Sequence, residues 1–289
     1  MSHILLTGIV VLDIINTVSS YPEEDSETRA LSQEIRRGGN ASNTATVLSQ
    51  LGHDCVIAST LSNDQSGQFL LKDLHQNRIQ IDTSFCLNRY TTPVSYITLN
   101  NNNGSRTIIH YRNLPELTFN QFDSINLEKY NWLHFEGRNV DQVHEMMKKA
   151  KSYNKTISLE VEKERDNINI LLPLADIIFF SRPFARLHGF KNAQQCLKYF
   201  NSIYPDKLLI CTWGTDGAFA MQDNNEYSSH AFYVQKSVDT IGAGDTFIAA
   251  FIHAHLINST TSDSLIYACR LAGLKCSQNG FNNLENINV

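Results

Sequence analysis

The segment Asp239-Thr240-Ile241-Gly242-Ala243-Gly244-Asp245-Thr246-Phe247 runs straight into the apolar stretch Ile248-Ala249-Ala250-Phe251. Small residues at the mouth of a helix let a ligand approach the main chain. The unpaired N–H groups of the first turn, with the helix dipole behind them, attract an anion. Gly242, Ala243 and Gly244 would form such an anion hole. A carboxylate there repels a phosphate, so Asp245 is out of place in a pure phosphate cradle. It suits a general base that takes the proton of an alcohol attacking that phosphate. A tight turn with an Asp cap is the plainer alternative.

A second segment, Gly38-Gly39-Asn40-Ala41-Ser42-Asn43, opens another helix. Asn40 and Asn43 are three apart and share one side of a first turn, where two amides match the hydroxyls of a polyol. Gly38 and Gly39 let a small ligand lie against the backbone. A glycine turn followed by an Asn cap would use the same residues. Asp13 follows the run Ile9-Val10-Val11-Leu12 and is expected at the end of the first strand. A carboxylate there accepts from two sugar hydroxyls, or only begins a turn.

The frame that must position these residues is legible as alternation. Apolar runs at Ile4 to Leu12, Cys55 to Leu61, Trp132 to Phe135, Thr156 to Val161, Asp176 to Phe180 and Leu208 to Trp213 have the length of strands. Helical spacing lies between them: Ala41-Ala45-Leu48-Leu51 closed by Gly52, Phe69-Leu70-Leu74, Val140 to Ala150, and Ala193 to Phe200. Two more helices, Gly244 to Ile257 and Ser262 to Gln278, end the pattern. Such alternation predicts an α/β fold with a mostly parallel sheet covered by helices. Polar Tyr21 to Arg37 and the hairpin-like Pro93 to Tyr111, turning at Asn102-Asn103-Gly104, interrupt it. They predict a small β-sheet lid, from segments about 13–38 and 92–112 of a single domain, over the carboxyl ends of the strands.

The bulk properties narrow the function. The chain has 289 residues, 42% hydrophobic and 18% charged, enough for a packed core and unlike a disordered chain. Its 24 Lys and Arg against 29 Asp and Glu leave a net charge of −5, which offers no field for nucleic acid. No apolar run approaches the roughly 18 residues of a membrane span. Met1 to Gly8 has no basic leader pattern, so the expected location is the cytoplasm. The six cysteines lack zinc-like or C-x-x-C spacing and read as small reduced hydrophobes. His253 and His255, two apart on a helix, cannot chelate one metal. Glu136 and Arg138 either pair in the cleft or hold a sheet edge. Glu160, Glu162 and Lys163 either share a face at a strand end or form a solvated charge cluster.

Gly39-Asn40-x-x-Asn43 together with Asp239-Thr-x-Gly-Ala-Gly-Asp245-Thr-Phe resembles the ribokinase/PfkB family of carbohydrate kinases. Val10-Val11-Leu12-Asp13, Tyr21-Pro22-x-Glu24-Asp25-Ser26-Glu27, Arg37-Gly38-Gly39-Asn40-Ala41-Ser42-Asn43, Glu136-Gly137-Arg138-Asn139 and Glu160-Val161-Glu162-Lys163 are similar to its ketohexokinase branch. The likeness covers nearly the whole chain, and several of its motifs lie in loops that packing does not dictate.

That resemblance implies a ribokinase-like fold and phosphoryl transfer from ATP to a sugar hydroxymethyl group, with D-fructose giving fructose 1-phosphate. It implies that Asp13, Gly39, Asn40 and Asn43 contact the sugar and that Asp245 is the base. By the same resemblance Arg106 contacts phosphate, and Gly214, Thr215, Asp216 and Gly217 form the nucleotide loop beside the Gly242–Gly244 anion hole. A fork of donors at Arg106 on a lid would neutralise the transferring group, although a solvated hairpin arginine would look alike in sequence. The family's Asn-x-x-Glu near the metal is here Ser181-Arg182-Pro183-Phe184, so Mg²⁺ is expected to arrive with ATP and be held through water. The resemblance further implies a homodimer joined through the lids and a monovalent cation, K⁺, near Asp239. A kinase for ribose, another ketose or a nucleoside, and a sugar or nucleotide sensor without catalysis, are the rival readings.

Overall fold

Strand β1 (His3–Thr7) turns Ile4 and Leu6 into one hydrophobic core and Leu5 into another. Alternate residues buried on opposite faces mark a strand in mid-sheet with cover on both sides. In the computed structural model, which describes residues 1–81 and 85–284, it is one of nine strands. From one edge these are β15 (Asn225–Ser229), β14 (Ala218–Gln222), β13 (Leu208–Thr212), β12 (Ile177–Phe180) and β11 (Thr156–Val161). Then come β10 (Trp132–Glu136), β1, β4 (Asp54–Ala58) and β6 (Ile79–Ile81). From β13 to β6 every pair is parallel, while β14 and β15 add an antiparallel edge.

One core lies under α1 (Asn40–Gln50), α2 (Gln65–Gln76), α7 (Ala243–Leu256) and α8 (Thr261–Cys276). The other lies under α3 (Phe119–Asp123), α4 (Val140–Ser152), α5 (Arg182–Leu187) and α6 (Ala193–Ile203). This is the predicted α/β architecture, and the helices at Asn40, Val140, Ala193, Ala243 and Thr261 begin within about a residue of their sequence signals.

A second sheet has the order β3 (Ser32–Gly38), β2 (Val11–Val18), β8 (Val94–Asn100), β9 (Arg106–Tyr111). It is mixed: β2 runs parallel to β8, and the two outer pairs are antiparallel. Its hairpin closes where expected, with the Gly104 amide donating to the Asn100 carbonyl at 2.8 Å. Leu61–Ser62 (β5) and Cys86–Leu87 (β7) form a third, two-stranded pairing.

Two expected strands are each two elements. The run from Ile4 to Leu12 breaks after Thr7, because the Ile9 amide turns away to the Glu136 carboxylate and Leu12 then pairs into the small sheet. Asp13 therefore stands within β2 of the small sheet, opposite Arg36 and Ser95, and not at the end of the first strand. The run from Cys55 to Leu61 likewise divides into β4 and β5.

Candidate active site

Two helix N-termini converge beyond the carboxyl ends of β1, β10, β11, β12 and β13, and neither has a side-chain cap of its own. By contrast α2, α6 and α8 are capped by Asp64, Asn192 and Thr260. At α1 the N-cap is Gly39, held at φ +106°, and a Cβ there would lie 2.2 Å from the Ile9 carbonyl oxygen. Only glycine meets both conditions. The missing cap comes from across the sheet: Glu136 Oε1 accepts from the Ala41 amide at 2.6 Å and from the Ile9 amide at 3.2 Å. Asn40 and Asn43 are thereby released from capping.

At α7 the N-cap Gly242 has φ +80°, and the first i to i−4 bond is Thr246 N–H to Gly242 O at 2.9 Å. The Gly244 and Asp245 amides precede that bond, so they are the orphan donors of an uncapped helix start. The turn, the two asparagines and the small sheet share a cavity of about 390 Å³. Asp13, Gly39, Asn40, Asn43, Arg106, Gly242, Gly244 and Asp245 all line it.

Within it Asn43 Nδ2 donates to Asp245 Oδ2 at 2.7 Å, while Asn43 Oδ1 is buried with no partner. Asn40 Nδ2 donates to Glu160 Oε1 at 2.9 Å and to Glu162 Oε2 at 3.3 Å. Glu160 Oε2 is a second buried acceptor without a donor. Burial raises Asp245 to about 8, Glu162 and Glu136 pushing the same way against the Asn43 hydrogen bond and Lys275. Glu160 is pushed well up by burial and then by Asp245, Glu162 and Glu136. Burial and the mutual repulsion of like charges hold Asp245, Glu160 and Glu136 above the ordinary carboxylate range.

Asp13 is raised to about 6 by burial, which outweighs the Ser95 hydroxyl and the charges of Arg36 and Arg37. Ser95 Oγ in turn lies 3.2 Å from His110 Nδ1, so β2, β8 and β9 each contribute to one polar wall. Arg106 reaches from the start of β9 to the anion turn, its Nη1 donating to Thr240 Oγ1 at 3.2 Å. Glu136 and Arg138 do pair in the cleft, at 3.4 Å, and Arg138 also holds Glu116.

The remaining expected residues are placed differently. Gly214, Thr215 and Asp216 form a short turn closed by Gly217 between β13 and β14, next to the cavity-lining Thr212. None of the four lines the cavity itself, and neither does Ala243. Glu160 and Glu162 line the cavity, and the buried Glu160 is no solvated charge. His253 bonds His53 at 2.9 Å, away from the site, and His255 packs edge-on against Trp132. Ser181 is the N-cap of α5, its hydroxyl accepting from the Phe184 amide at 3.1 Å. Among the described residues no group of three or more His, Cys, Asp or Glu side chains is arranged to hold a metal ion.

Asp239 is enclosed. Its Oδ2 accepts from Lys275 Nζ at 2.8 Å, Arg36 Nη1 at 3.1 Å and the Gly280 amide at 3.2 Å, and Oδ1 accepts from the Ile241 amide at 2.9 Å. Sequence reasoning alone misses Lys275 and Arg36 as parts of the site. The signal for Lys275 is its position: Ser264, Ala268, Leu271 and Lys275 form the buried stripe of α8.

The pfkB family carbohydrate kinase profile matches residues 1–287. Mouse ketohexokinase is 37% identical, over 98% of this chain and 98% of its own. The ATP-dependent ribose-1-phosphate kinase of Halopiger xanaduensis is 25% identical, over 97% and 94%. Among solved structures, ribokinase from Giardia lamblia superposes with a TM-score of 0.82 at 18% identity, covering 96% of this chain and 94% of that one. No helix among the described residues is long and apolar enough to cross a membrane.

Proposed function

Because the chain belongs to the pfkB family of carbohydrate kinases, we propose that this ATP-dependent sugar kinase phosphorylates a hydroxymethyl group of a ketohexose, D-fructose giving fructose 1-phosphate. The observation that carries the reading is the Asn43–Asp245 contact. It sets a buried carboxylate, oriented by an amide, at the uncapped start of α7. The higher identity with ketohexokinase than with the ribose-1-phosphate kinase favours the ketohexose.

Asp245 takes the proton from the hydroxymethyl oxygen as that oxygen forms its bond to the γ-phosphorus. The bond from phosphorus to the β,γ-bridging oxygen breaks, and ADP leaves with those electrons. A base of raised pKa matches an alcohol better than an ordinary Asp does, provided it is ionised at the moment of transfer. The Gly244 and Asp245 amides, with the α7 dipole, face the charge that develops, and Arg106 adds its guanidinium from the small sheet. Mg²⁺ carried by ATP supplies further neutralisation at the phosphates. Asp13, Asn40, Asn43 through its unpartnered oxygen, and the backbone at Gly39 hold the sugar, while the Gly214–Gly217 turn serves the nucleoside end of ATP. The small sheet acts as a lid that keeps water from taking the phosphoryl group.

Tyr96, Ile108, Ile109 and Tyr111 are exposed apolar side chains on the same small sheet, which supports a homodimer formed lid to lid. Light scattering at defined concentration checks it. The cytoplasm is the location consistent with cysteines that are all reduced.

The test is ADP release with Mg-ATP against fructose, ribose, tagatose, adenosine and no acceptor, with Asp245→Asn alongside. Fructose-dependent turnover, lowered by about 10²- to 10⁴-fold in the variant while sugar binding stays within a few-fold, is expected. Turnover with ribose or adenosine alone would overturn the substrate, and an active Asp245→Asn would overturn the base.

A further inference from the structure

A fully buried ammonium group lies directly beneath the anion-binding turn. Lys275 is 0% exposed, and its Nζ donates both to Asp239 Oδ2 and to the Asp239 carbonyl oxygen, each at 2.8 Å. The same Nζ stands 5.4 Å from the ring centroid of Phe281, whose edge fills the space where a side chain at Gly242 would go. The Val238 and Asp239 amides donate to the Cys276 carbonyl, at 2.7 and 3.3 Å, so the end of α8 and the start of the turn are fastened on either side of this ammonium.

Burying an isolated lysine charge is expensive, and this one is compensated by two oxygens of a single residue. Here it locks both a side chain and a main-chain oxygen of the residue that leads into Thr240–Gly244. That is the task a monovalent metal ion performs when it is coordinated by a carboxylate and carbonyl oxygens. The surroundings of Asp239 do not fit an added K⁺. Oδ2 already faces two cationic side chains, Lys275 and Arg36, Oδ1 is taken by the Ile241 amide, and the carbonyl oxygen is taken by Lys275. A third positive charge within a few ångströms would be repelled by the two present.

We propose that Lys275 is the resident cation of the phosphate-binding turn, a positioning residue that replaces a monovalent metal ion and makes the kinase independent of K⁺. The proposal rests on the family assignment and not on which sugar is the acceptor, so whichever acceptor gives turnover serves the test.

Initial rates are compared in potassium, sodium and tetramethylammonium chloride at one ionic strength, with Mg-ATP present. The expected result for the natural protein is the same rate in all three. Lys275→Met is expected to lose kcat by roughly ten- to a hundredfold, as a displaced donor turn would, with the KM for the sugar nearly unchanged. Lys275→Ala opens a space of lysine shape and is expected to regain activity on addition of ethylammonium or K⁺. A several-fold activation of the natural protein by K⁺ over tetramethylammonium overturns the proposal. So does wild-type kcat in Lys275→Met, or a loss in Lys275→Ala that follows sugar affinity and Tm down with no rescue by any cation. If both variants fail to fold, the salt comparison on the natural protein still decides. Affinity for a fluorescent ATP analogue across the same three salts decides the question without turnover, being equal in all three if Lys275 suffices and higher in potassium if it does not. Absence of any acceptor would therefore count against the proposed function alone.

Discussion

Asn43 and Asp245, 202 positions apart in the chain, meet through one hydrogen bond of 2.7 Å that joins the first turn of α1 to the first turn of α7. The amide donates to Asp245 Oδ2 and so favours the ionised carboxylate, opposing the burial that favours the acid. The proposed sugar-binding asparagine and the proposed base are thus one unit. Asn43 has committed one of its two N–H donors to Asp245, and its buried oxygen has no partner in the fold.

That relationship sets the pH profile. With Asp245 raised to about 8, kcat/KM of the natural protein is expected to fall about tenfold per pH unit below that value, because kcat/KM reports the free enzyme. Asn43→Ala removes the contact that lowers the pKa, so the acid limb is expected to move to higher pH. Activity at pH 7 drops, and part of it returns at pH 9. Steady-state rates from pH 6 to 9.5 check this; an acid limb moving to lower pH in Asn43→Ala would contradict it.

Arg106 and Thr240 connect the small sheet to the anion turn across 134 positions. Arg106→Met is expected to lower kcat/KM for ATP by roughly one to two orders of magnitude, with sugar affinity little changed. Arg106→Lys should restore only part, since an ammonium lacks the planar fork of donors. Separate titrations of ATP and sugar distinguish this from a general loss of lid packing, which would weaken both.

Arg37 carries a structural role beside the proposed sugar site. Its guanidinium is buried and spans Asp73, Ser42 at 2.8 Å and Thr46, tying β3 to the inner face of α1 and to α2. Arg37→Leu leaves the Ser42 and Thr46 hydroxyls only their carbonyl acceptors and the half-buried Asp73 carboxylate without its cation, and is expected to cost about 2 kcal/mol. Urea unfolding at neutral pH measures it, and a loss below about 1 kcal/mol would mean that the network is replaceable.

The central sheet was readable because strands buried on both faces leave uninterrupted apolar runs, and Thr156–Val161 matches its run residue for residue. The same feature hid the break at Gly8, where one apolar run feeds two sheets, and so misplaced Asp13. The glycine-rich turn at the start of α7 and the paired asparagines were legible because glycines and small polar residues at a helix start have few other uses. Glu160 was not, since a charge at a strand end looks the same in sequence whether it faces bulk water or a closed cavity. Lys275 was hidden by its residue type, although its place on the stripe of Ser264, Ala268 and Leu271 marked it as buried. The carboxylate that caps α1 comes from Glu136, 95 positions away, and no local pattern could announce it.

The buried carboxylates also shape stability. Asp245 at about 8, Asp13 at about 6, and the raised Glu136 and Glu160 all hold protons in the fold that the unfolded chain releases near pH 4. Their contribution is full below that pH and is lost as pH rises through each folded value. The buried histidines act in the opposite sense. Burial lowers His53 to about 4 and His134 to about 3, so below the ordinary histidine range the unfolded chain takes up protons that the fold refuses. The expected Tm of the ligand-free protein rises from pH 8.5 to about 6.5 and declines below about 6. Asp245→Asn should flatten the alkaline side. Thermal melts at constant ionic strength decide, and a Tm climbing steadily toward pH 9 would contradict the carboxylate part.

Gly242 and Phe281 offer the sharpest test of the anion turn. A Cβ at position 242 would lie 2.2 Å from Phe281 Cζ, and φ at +80° strains any residue with a side chain. Gly242→Ala is therefore expected to shift the turn, cutting kcat and ATP affinity while sugar binding in the α1 half of the cavity persists. Phe281→Ala added to it removes the collision but leaves the backbone strain, so the double variant should recover part of the loss. Phe281→Ala alone also exposes the side of Lys275 that the ring covers and should be mildly impaired. Nucleotide titrations on the three variants form a double-mutant cycle, whose interaction energy is expected to be favourable to the double variant. Strict additivity would mean that the ring does not support the turn.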